Sequence, residues 1–330
     1  MIRYILKRLI LLIPILLGVV VIVFAISYIT PGDPIIIILG ESYTPELYEA
    51  KAVELGLDRS FIVQFFDYLW GLVTRFDFGK SYITGKSISA ELLSRFPVSA
   101  QLGLAGVAVM ILIGIPLGIF SAIKQYSALD FGLTTLAVII AAIPGFVLAL
   151  LSLLLFAVQL RWFPLIGLGS PKAYVLPVLT NAFPGIAFLM RMTRTTMLEV
   201  IRQDYIGTAR SKGLRERVII LKHALGNALI PLITVIGGFV GGTVAGSIIV
   251  ETIFSIRGMG SFLYSGVNGR DYPVVMGGVL MISFLVCIVN LIVDIMYAFI
   301  DPRIKSQYAS RGKKVRRVTD IKSKAESEVA

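Results

Sequence analysis

Histidine, cysteine and charged residues are scarce in this sequence of 330 residues, and each scarcity excludes a class of protein. Cys287 is the only cysteine and His223 the only histidine. One cysteine makes no intrachain disulfide, and one residue of each type excludes ordinary zinc sites built from those ligands. Charged residues make up 15% of the chain and hydrophobic residues 56%. Soluble domains are typically about 25% charged and about 45–50% apolar, so a soluble domain is excluded.

Nucleotide-binding patterns are also missing. The GKS at 79–81 looks like the end of a phosphate-binding loop, but the first glycine of that motif would stand at Thr74. The GKS at 85–87 fails in the same way, and the GMG at 258–260 lacks the third glycine of a dinucleotide fingerprint. No signature of a Ser-His-carboxylate triad surrounds His223. We therefore predict no catalytic residues, no cofactor and no metal site, and an intramembrane enzyme is the weakest alternative.

Long apolar windows are abundant, and the mean hydropathy is +0.86. About 20 helical residues cross a hydrocarbon core of about 30 Å. Six windows meet this requirement: roughly 9–29, 101–123, 132–158, 174–190, 228–250 and 274–298. The fourth is short and is interrupted by Pro177 and by Pro184-Gly185. The windows lack the period-two alternation of barrel strands, so the sequence predicts an all-α membrane protein with six transmembrane helices.

The distribution of charge orients these helices. Residues 191–222 hold eight Lys/Arg against three Asp/Glu, and the tail from Asp301 holds nine against four. The segment 30–98 reverses this balance, with nine acidic and six basic residues. Because positive residues stay on the cytoplasmic side, both termini and the loop 191–226 are predicted inside. The net charge of +11 follows the same rule, so no nucleic-acid partner is predicted.

These patterns divide the chain into five parts. They are a cytoplasmic N-terminus (1–8), the first span (9–29), an extracytoplasmic segment (30–100), a core (101–304) and a basic, disordered cytoplasmic tail (305–330). Within the extracytoplasmic segment we predict a short helix over 45–56 and an amphipathic helix over 61–76. The amphipathic helix is expected on the outer membrane face or against neighbouring spans.

Glycines recur at helix-packing spacing in two windows. They are Gly238, Gly242 and Gly246 in the fifth window, and Gly114 and Gly118 in the second. Small residues at this spacing let helix backbones approach closely. We predict helix contacts there, within the chain or with a partner. Lining of a substrate path by exposed backbone is the alternative.

Two carboxylates lie in or beside the apolar windows. Asp294, one helical turn after Asn290, is the only acidic residue of the last window. Intramembrane carboxylates are functional candidates, including as proton relays. Because Asp301 follows closely, Asp294 lies near the cytoplasmic interface, which favours a structural pairing. Glu251, at the predicted outer end of the fifth span, leaves both alternatives open.

A basic stretch from Asp204 to Pro231 separates the fourth and fifth windows. Asp204 is predicted to cap a helix over 205–212, and Gly213 to end it in the left-handed conformation. A second helix over 216–225 follows. Such an elbow is a suitable lever for a soluble partner, although the residues alone fit a simple interfacial amphipathic helix equally well.

Nine short motifs then follow one another along the chain. They are KRL (7–9), PGDP (31–34), LGLD (55–58), FDFGKSY (76–82), GIPLGI (114–119), TARSKGL (208–214), KHALGNAL (222–229), RDYP (270–273) and DPRI (301–304). Together they resemble the first inner-membrane permease of the dipeptide/oligopeptide/nickel group of ABC importers, from about Tyr4 to Ile304. The resemblance implies a type I importer permease fold without an ATPase site of its own.

In that family the region 208–225 resembles the EAA loop, with Gly213 at the position of its glycine. The resemblance implies contact with an ATPase through a set of residues in and beside this loop. They are Asp204, Tyr205, Thr208, Ala209, Lys212, Gly213, Leu214, His223 and Leu225. Four positions depart from the family pattern. Glu-Ala-Ala reads Gly207-Thr208-Ala209, so only Ala209 matches; the terminal proline falls at Gly226, and Arg257 stands where proline is usual.

The resemblance also implies partners and a location. The partners are a second homologous permease, two cytoplasmic ATP-binding subunits, an extracytoplasmic solute-binding protein and the bilayer of a bacterial or archaeal cell membrane. Peptides are the expected cargo, and nickel or oligosaccharides are alternatives. A proton-coupled secondary transporter, using a helix break at Pro184-Gly185 and the carboxylate of Asp294, is the competing function.

Overall fold

A computed structural model of the chain describes residues 2–300 except 31, 41–43, 168 and 245. Within those residues the regular structure is helical, apart from an isolated antiparallel bridge between Lys80 and Ser87. The all-α prediction is therefore confirmed. The predicted tail over 305–330 and the DPRI motif lie outside the described residues.

The N-terminal part holds one long and three short helices. They are α1 (Ile2–Ile29), α2 (Pro34–Leu39), α3 (Pro45–Leu55) and α4 (Phe61–Arg75). The predicted helix over 45–56 is α3, which Thr44 caps with its side chain and Gly56 ends in the left-handed conformation. The predicted helix over 61–76 is α4. It is apolar on two sides, since Phe65 packs edge-on against Phe24 of α1 while Trp70 is exposed.

The remaining helices form the core. They are α5 (Ile88–Ile123), α6 (Ala128–Ala142), α7 (Gly145–Ser152), α8 (Val175–Ile201), α9 (Asp204–Ser211), α10 (Glu216–Val218), α11 (Leu225–Val244), α12 (Ile248–Ile253), α13 (Met259–Asn268) and α14 (Tyr272–Ile300). A π-helical turn over Leu153–Gln159 extends α7, and a second over Ile219–Ala224 joins α10 to α11.

Five helical stretches are long and apolar enough to cross a membrane. They are Arg8–Ile29, Ile88–Ile123, Pro171–Ile201, Glu216–Thr243 and Tyr272–Met296. The pair α6 and α7 supplies a sixth candidate, but the two helices meet at a bend of 99°. The predicted single helix over 132–158 is therefore wrong. Ile143 is extended because it precedes Pro144, which disfavours helical backbone at the residue before it.

The predicted boundaries of the fourth and fifth spans also differ from the structure. Helix α8 continues through Pro184 to Ile201, so the expected interruption at Pro184-Gly185 is absent. Helix α11, which corresponds to the predicted fifth span, ends at Val244, and the chain turns at Gly246, where φ is +106°. Glu251 therefore lies on the separate helix α12, and not at the end of a span.

The most extensive contact between two of the described helices joins α5 to α8. A Cβ atom added at Gly114 would lie 3.3 Å from the carbonyl oxygen of Ile186, and one at Gly118 2.6 Å from that of Met190. These backbones approach so closely only because both positions lack a side chain. In lipid such contacts are held by van der Waals packing, since tails and side chains are equally apolar.

We predict that Gly118→Ala separates these two helices. Its Cβ would meet backbone as well as the Thr193 side chain, so about 1–3 kcal/mol of stability is expected to be lost through overpacking. Gly132→Ala on α6 is the matched control, because nothing lies within 4 Å of its added Cβ. The thermal midpoint of the detergent-purified protein should fall for the first variant and hold or rise for the second. Equal midpoints would contradict the close contact.

Candidate functional site

The elbow predicted from the sequence is present between α8 and α11. Helix α9 ends at Ser211, Gly213 takes a φ of +75°, and helical structure restarts at Glu216. The prediction for Gly213 is confirmed. The prediction that Asp204 caps the helix is wrong, since the extended residue at the cap is Gln203 and Asp204 is already helical. A carboxylate in the first turn still suits the positive end of the helix dipole.

One face of the elbow is held firmly against the rest of the chain. Ile206 is fully buried and Ala209 is 8% exposed. They pack in one apolar cluster, which we call the elbow cluster, with Ala122, Met197, Ile219, Ala224 and Ala228. Ala209, which the family resemblance assigns to partner contact, therefore points into the chain. Because the cluster draws on α5, α8 and α11, the elbow is anchored to three core helices.

The other face of the elbow is open. The exposed residues among those predicted for ATPase contact are Asp204, Tyr205, Thr208, Lys212, Gly213 and Leu214. His223 and Leu225 are half-buried on the second arm. Asn227 donates a hydrogen bond of 2.9 Å to the Tyr205 hydroxyl, and Arg210 forms an ion pair of 2.8 Å with Glu216 across the turn. The first contact holds α9 against α11, and the second holds it against α10.

A buried ion pair lies behind the elbow. Asp130, 4% exposed, receives two hydrogen bonds from Arg194: Nε donates to Oδ1 at 2.7 Å and Nη2 to Oδ2 at 2.8 Å. The Ser121 hydroxyl and the Tyr126 amide also donate to this carboxylate. This pairing could not be predicted from the sequence, because no spacing rule relates residue 130 to residue 194.

A second buried carboxylate, Glu251, joins α5, α12 and the start of α13. It accepts hydrogen bonds from the Ser99 hydroxyl at 2.7 Å and the Ser261 amide at 2.9 Å. Gly258 and Gly260 leave room for it, since a Cβ at either would lie 3.0 Å or less from its carboxylate oxygens. Burial raises the pKa of Glu251 above the ordinary value of a glutamate, and these hydrogen bonds oppose that rise.

A third carboxylate ties the segment before α5 to the start of α14. Asp271 accepts hydrogen bonds from the Ser81 hydroxyl at 2.5 Å and from the Tyr82 amide at 3.1 Å. The contact joins the FDFGKSY motif to the RDYP motif, almost two hundred residues apart. Burial, with a smaller contribution from Asp271, raises the pKa of the Tyr82 phenol to about 12. Its hydroxyl therefore stays protonated at physiological pH.

The predicted pairing of Asp294 is also present. Its Oδ2 lies 2.9 Å from an Nη atom of Arg8, so α14 and α1 are joined at this point. A charge paired across two helices has the structural role that its position near the interface predicts.

The predicted packing glycines fall into three different environments. Gly114 and Gly118 face α8. Gly238 and Gly242 are exposed with nothing within 4 Å of an added Cβ, whereas the neighbouring Gly237 meets Val293 of α14. Gly246 lies outside any helix and packs against the Gly260 amide. That the open glycine face of α11 lines a substrate path or contacts a partner stays a prediction.

A cleft opens where the N-terminal helices meet the core. Two adjoining cavities of about 630 and 430 Å³ share Phe24, Leu57, Gln64, Tyr82 and Met276. Five tyrosines line them: Tyr28, Tyr48, Tyr68, Tyr82 and Tyr272. The buried Tyr68 hydroxyl has no hydrogen-bond partner among the described residues. Among all the residues that the structure describes, no three His, Cys, Asp or Glu side chains lie together as metal ligands.

We predict that Glu251→Ala destabilises the protein strongly. It leaves the buried Ser99 hydroxyl and Ser261 amide without their acceptor, at a cost of about 1–3 kcal/mol for each group. Thr252→Ala, on the exposed side of the same helix, should change stability by no more than about 0.5 kcal/mol. Thermal unfolding of both purified variants makes the comparison. A Glu251 variant as stable as the control would refute the bridging role.

Comparison with known proteins covers nearly the whole chain. The description "Binding-protein-dependent transport system inner membrane component" matches residues 114–306, and its N-terminal counterpart matches residues 1–103. A putative peptide transport system permease protein of Brucella abortus is 40% identical over 91% of this chain and 98% of its own length. The dipeptide transport system permease protein DppB of Alkalihalophilus pseudofirmus is 37% identical over 92% of this chain and all of its own length.

A di/tripeptide transport system permease protein DppB of Pseudomonas aeruginosa is 35% identical over 93% of this chain and its full length. Among solved structures, a chain of the MetNI methionine ABC transporter in inward-facing conformations superposes with a TM-score of 0.52. That alignment covers 64% of this chain and 96% of the other at 18% identity, which establishes a shared fold. With family matches and full-length relatives in agreement, the chain belongs to the inner-membrane permease components of binding-protein-dependent ABC importers.

Proposed function

We propose that this chain is one of two membrane subunits of an ATP-driven importer of short peptides, and that its elbow transmits the work of the ATPases. The observation that carries the proposal is the two-sided elbow. Its inner face is fixed to three core helices by the elbow cluster, and its outer face is open. A force applied by a soluble partner at the open face is therefore passed directly to α5, α8 and α11.

Peptides are the favoured cargo because full-length relatives at 35–40% identity carry peptide, dipeptide or di/tripeptide permease names. The open glycine face of α11, at Gly238 and Gly242, is offered for contact with the second permease or for the path itself. A segment of the solute-binding protein would dock in the tyrosine-lined cleft, since tyrosines supply rigid amphipathic contact area at interfaces.

Two features were expected of a proton-coupled transporter, an unpaired membrane carboxylate and a helix break at Pro184, and neither is observed among the described residues. Asp294 is paired with Arg8, so its carboxylate is not poised alone in the membrane. Helix α8 runs unbroken through Pro184, where a secondary transporter was expected to have a discontinuous helix. Both observations favour a permease that is driven from outside its own membrane helices.

The predicted orientation can be tested with single cysteines. Cys287→Ala alone gives a cysteine-free chain, into which Glu49→Cys on α3 or Lys212→Cys in the elbow is introduced. Both positions are exposed. A membrane-impermeant maleimide added to intact cells should label the α3 cysteine at once and the elbow cysteine only after permeabilisation. Labelling in the reverse order would invert the proposed topology.

We predict that Leu214→Glu uncouples the chain from its ATPases. Leu214 is 40% exposed beside Gly213, so a charge there would oppose an apolar contact without disturbing the core. Recovery of ATPase subunits with the tagged permease should fall by about tenfold or more, the equivalent of about 1.4 kcal/mol. Leu165→Glu is the control, since Leu165 is 45% exposed in the loop after α7. Equal recovery of ATPases with both variants would contradict docking at the elbow.

A further inference from the structure

The ion pair between Asp130 and Arg194 is reinforced by two further hydrogen bonds to the carboxylate. The guanidinium engages both carboxylate oxygens, and the Ser121 hydroxyl and Tyr126 amide complete the set of donors. These groups come from the end of α5, the turn before α6, and α8. A two-pronged arginine–carboxylate contact fixes direction as well as distance. The ends of three helices are thereby held in one relative orientation.

The residues of this pair are close to the elbow cluster along two helices. Arg194 is three residues before Met197 on α8, and Ser121 precedes Ala122 on α5. Both Met197 and Ala122 are buried members of the elbow cluster together with Ile206 of α9. Residues three apart lie on the same side of a helix. The polar contact and the apolar anchor of the elbow therefore share the same stretches of α5 and α8.

Farther along, α6 meets α8 through apolar contacts, such as those of Ala137 with Ala187 and Met190. Contacts of this kind tolerate sliding, whereas a buried ion pair loses its compensation when its geometry changes. Beyond α6, Ala149 of α7 packs in one apolar cluster with Val250 of α12 and with Phe254, the residue that follows α12. A displacement of α6 that α7 follows therefore reaches α12, the helix that carries Glu251.

We propose that Asp130 and Arg194 are positioning residues for transport, a joint that makes the bent pair α6–α7 move with the elbow. The inference rests on the proposed function, because it names where the elbow's motion enters the rest of the chain. Asp130 is 4% exposed and Arg194 is engaged by its carboxylate, so both residues act through the helices that they join. Their loss is expected to disconnect ATP hydrolysis from peptide movement while the partners still assemble.

The test uses the complete importer in vesicles, with a radiolabelled dipeptide and the binding protein supplied outside. The quantity measured is dipeptide taken up per ATP hydrolysed. Asp130→Asn and Arg194→Gln should lower this ratio by about fivefold or more, the lower end of coupling between distant sites. Recovery of ATPase subunits should stay unchanged. Arg194→Lys keeps the charge without the two-pronged contact and should lower the ratio less.

Two further variants separate positioning from simple stability. Combining Asp130→Asn with Arg194→Gln should lower the ratio little further than either change alone, because each change already removes the ion pair. Glu91→Gln is the matched control, because Glu91 pairs with Arg95 at 2.8 Å at the other end of α5. A fall in thermal midpoint with an unchanged ratio in every Asp130 and Arg194 variant would overturn the proposal. Absence of dipeptide uptake by the unmodified importer would instead refute the proposed function.

Discussion

Because Gly114 and Gly118 carry no side chain, α5 and α8 lie with their backbones almost in contact, and the positions of the other functional elements follow from that contact. The end of α8 supplies Met197 and Arg194, and the end of α5 supplies Ala122 and Ser121. Separation of the two helices would pull apart the elbow cluster and the ion pair together. The tight glycine contact is therefore a condition for the elbow to be fixed at all.

Helix packing in lipid gains little from the hydrophobic effect, so other contacts must set the relative orientation of the helices. Three carboxylates contribute to this orientation by joining segments that are distant in sequence: Asp130 to Arg194, Glu251 to Ser99, and Asp271 to Ser81. Each accepts at least two hydrogen bonds, and those of Asp130 and Glu251 come from more than one element. A buried acceptor with several donors tolerates few arrangements, which makes these sites markers of the helix order.

Much of the fold could be predicted from composition and local signals. The apolar windows, the short helix over 45–56, and the glycines that end helices, Gly56 and Gly213, all depend on neighbouring residues, which the sequence displays directly. The 99° bend was missed because both sides of Pro144 are equally apolar, and hydropathy records no direction. Whether Gly237 or Gly238 faces α14 depends on the rotation of one helix, which tertiary contacts decide.

The site was only partly predictable for the same reason. The elbow is local, so its glycine turn was found, but the inward orientation of Ala209 depends on which helices lie beneath it. The Asp130–Arg194 pair joins residues 64 positions apart and follows no spacing rule. Asp294 was the exception. Its distance from the end of the last apolar window indicated the interface, where basic residues of α1 also lie.

The separation of α5 from α8 along the chain has a consequence for biosynthesis. Helix α5 ends at Ile123 and α8 begins at Val175, so a ribosome adding about 5–20 residues per second needs several seconds between them. During that interval the glycine face of α5 meets lipid, and Asp130 has entered the chain before the arginine that neutralises it. Slowing translation over residues 124–194 would lengthen this exposure, and a membrane-embedded chaperone would find its client in that state.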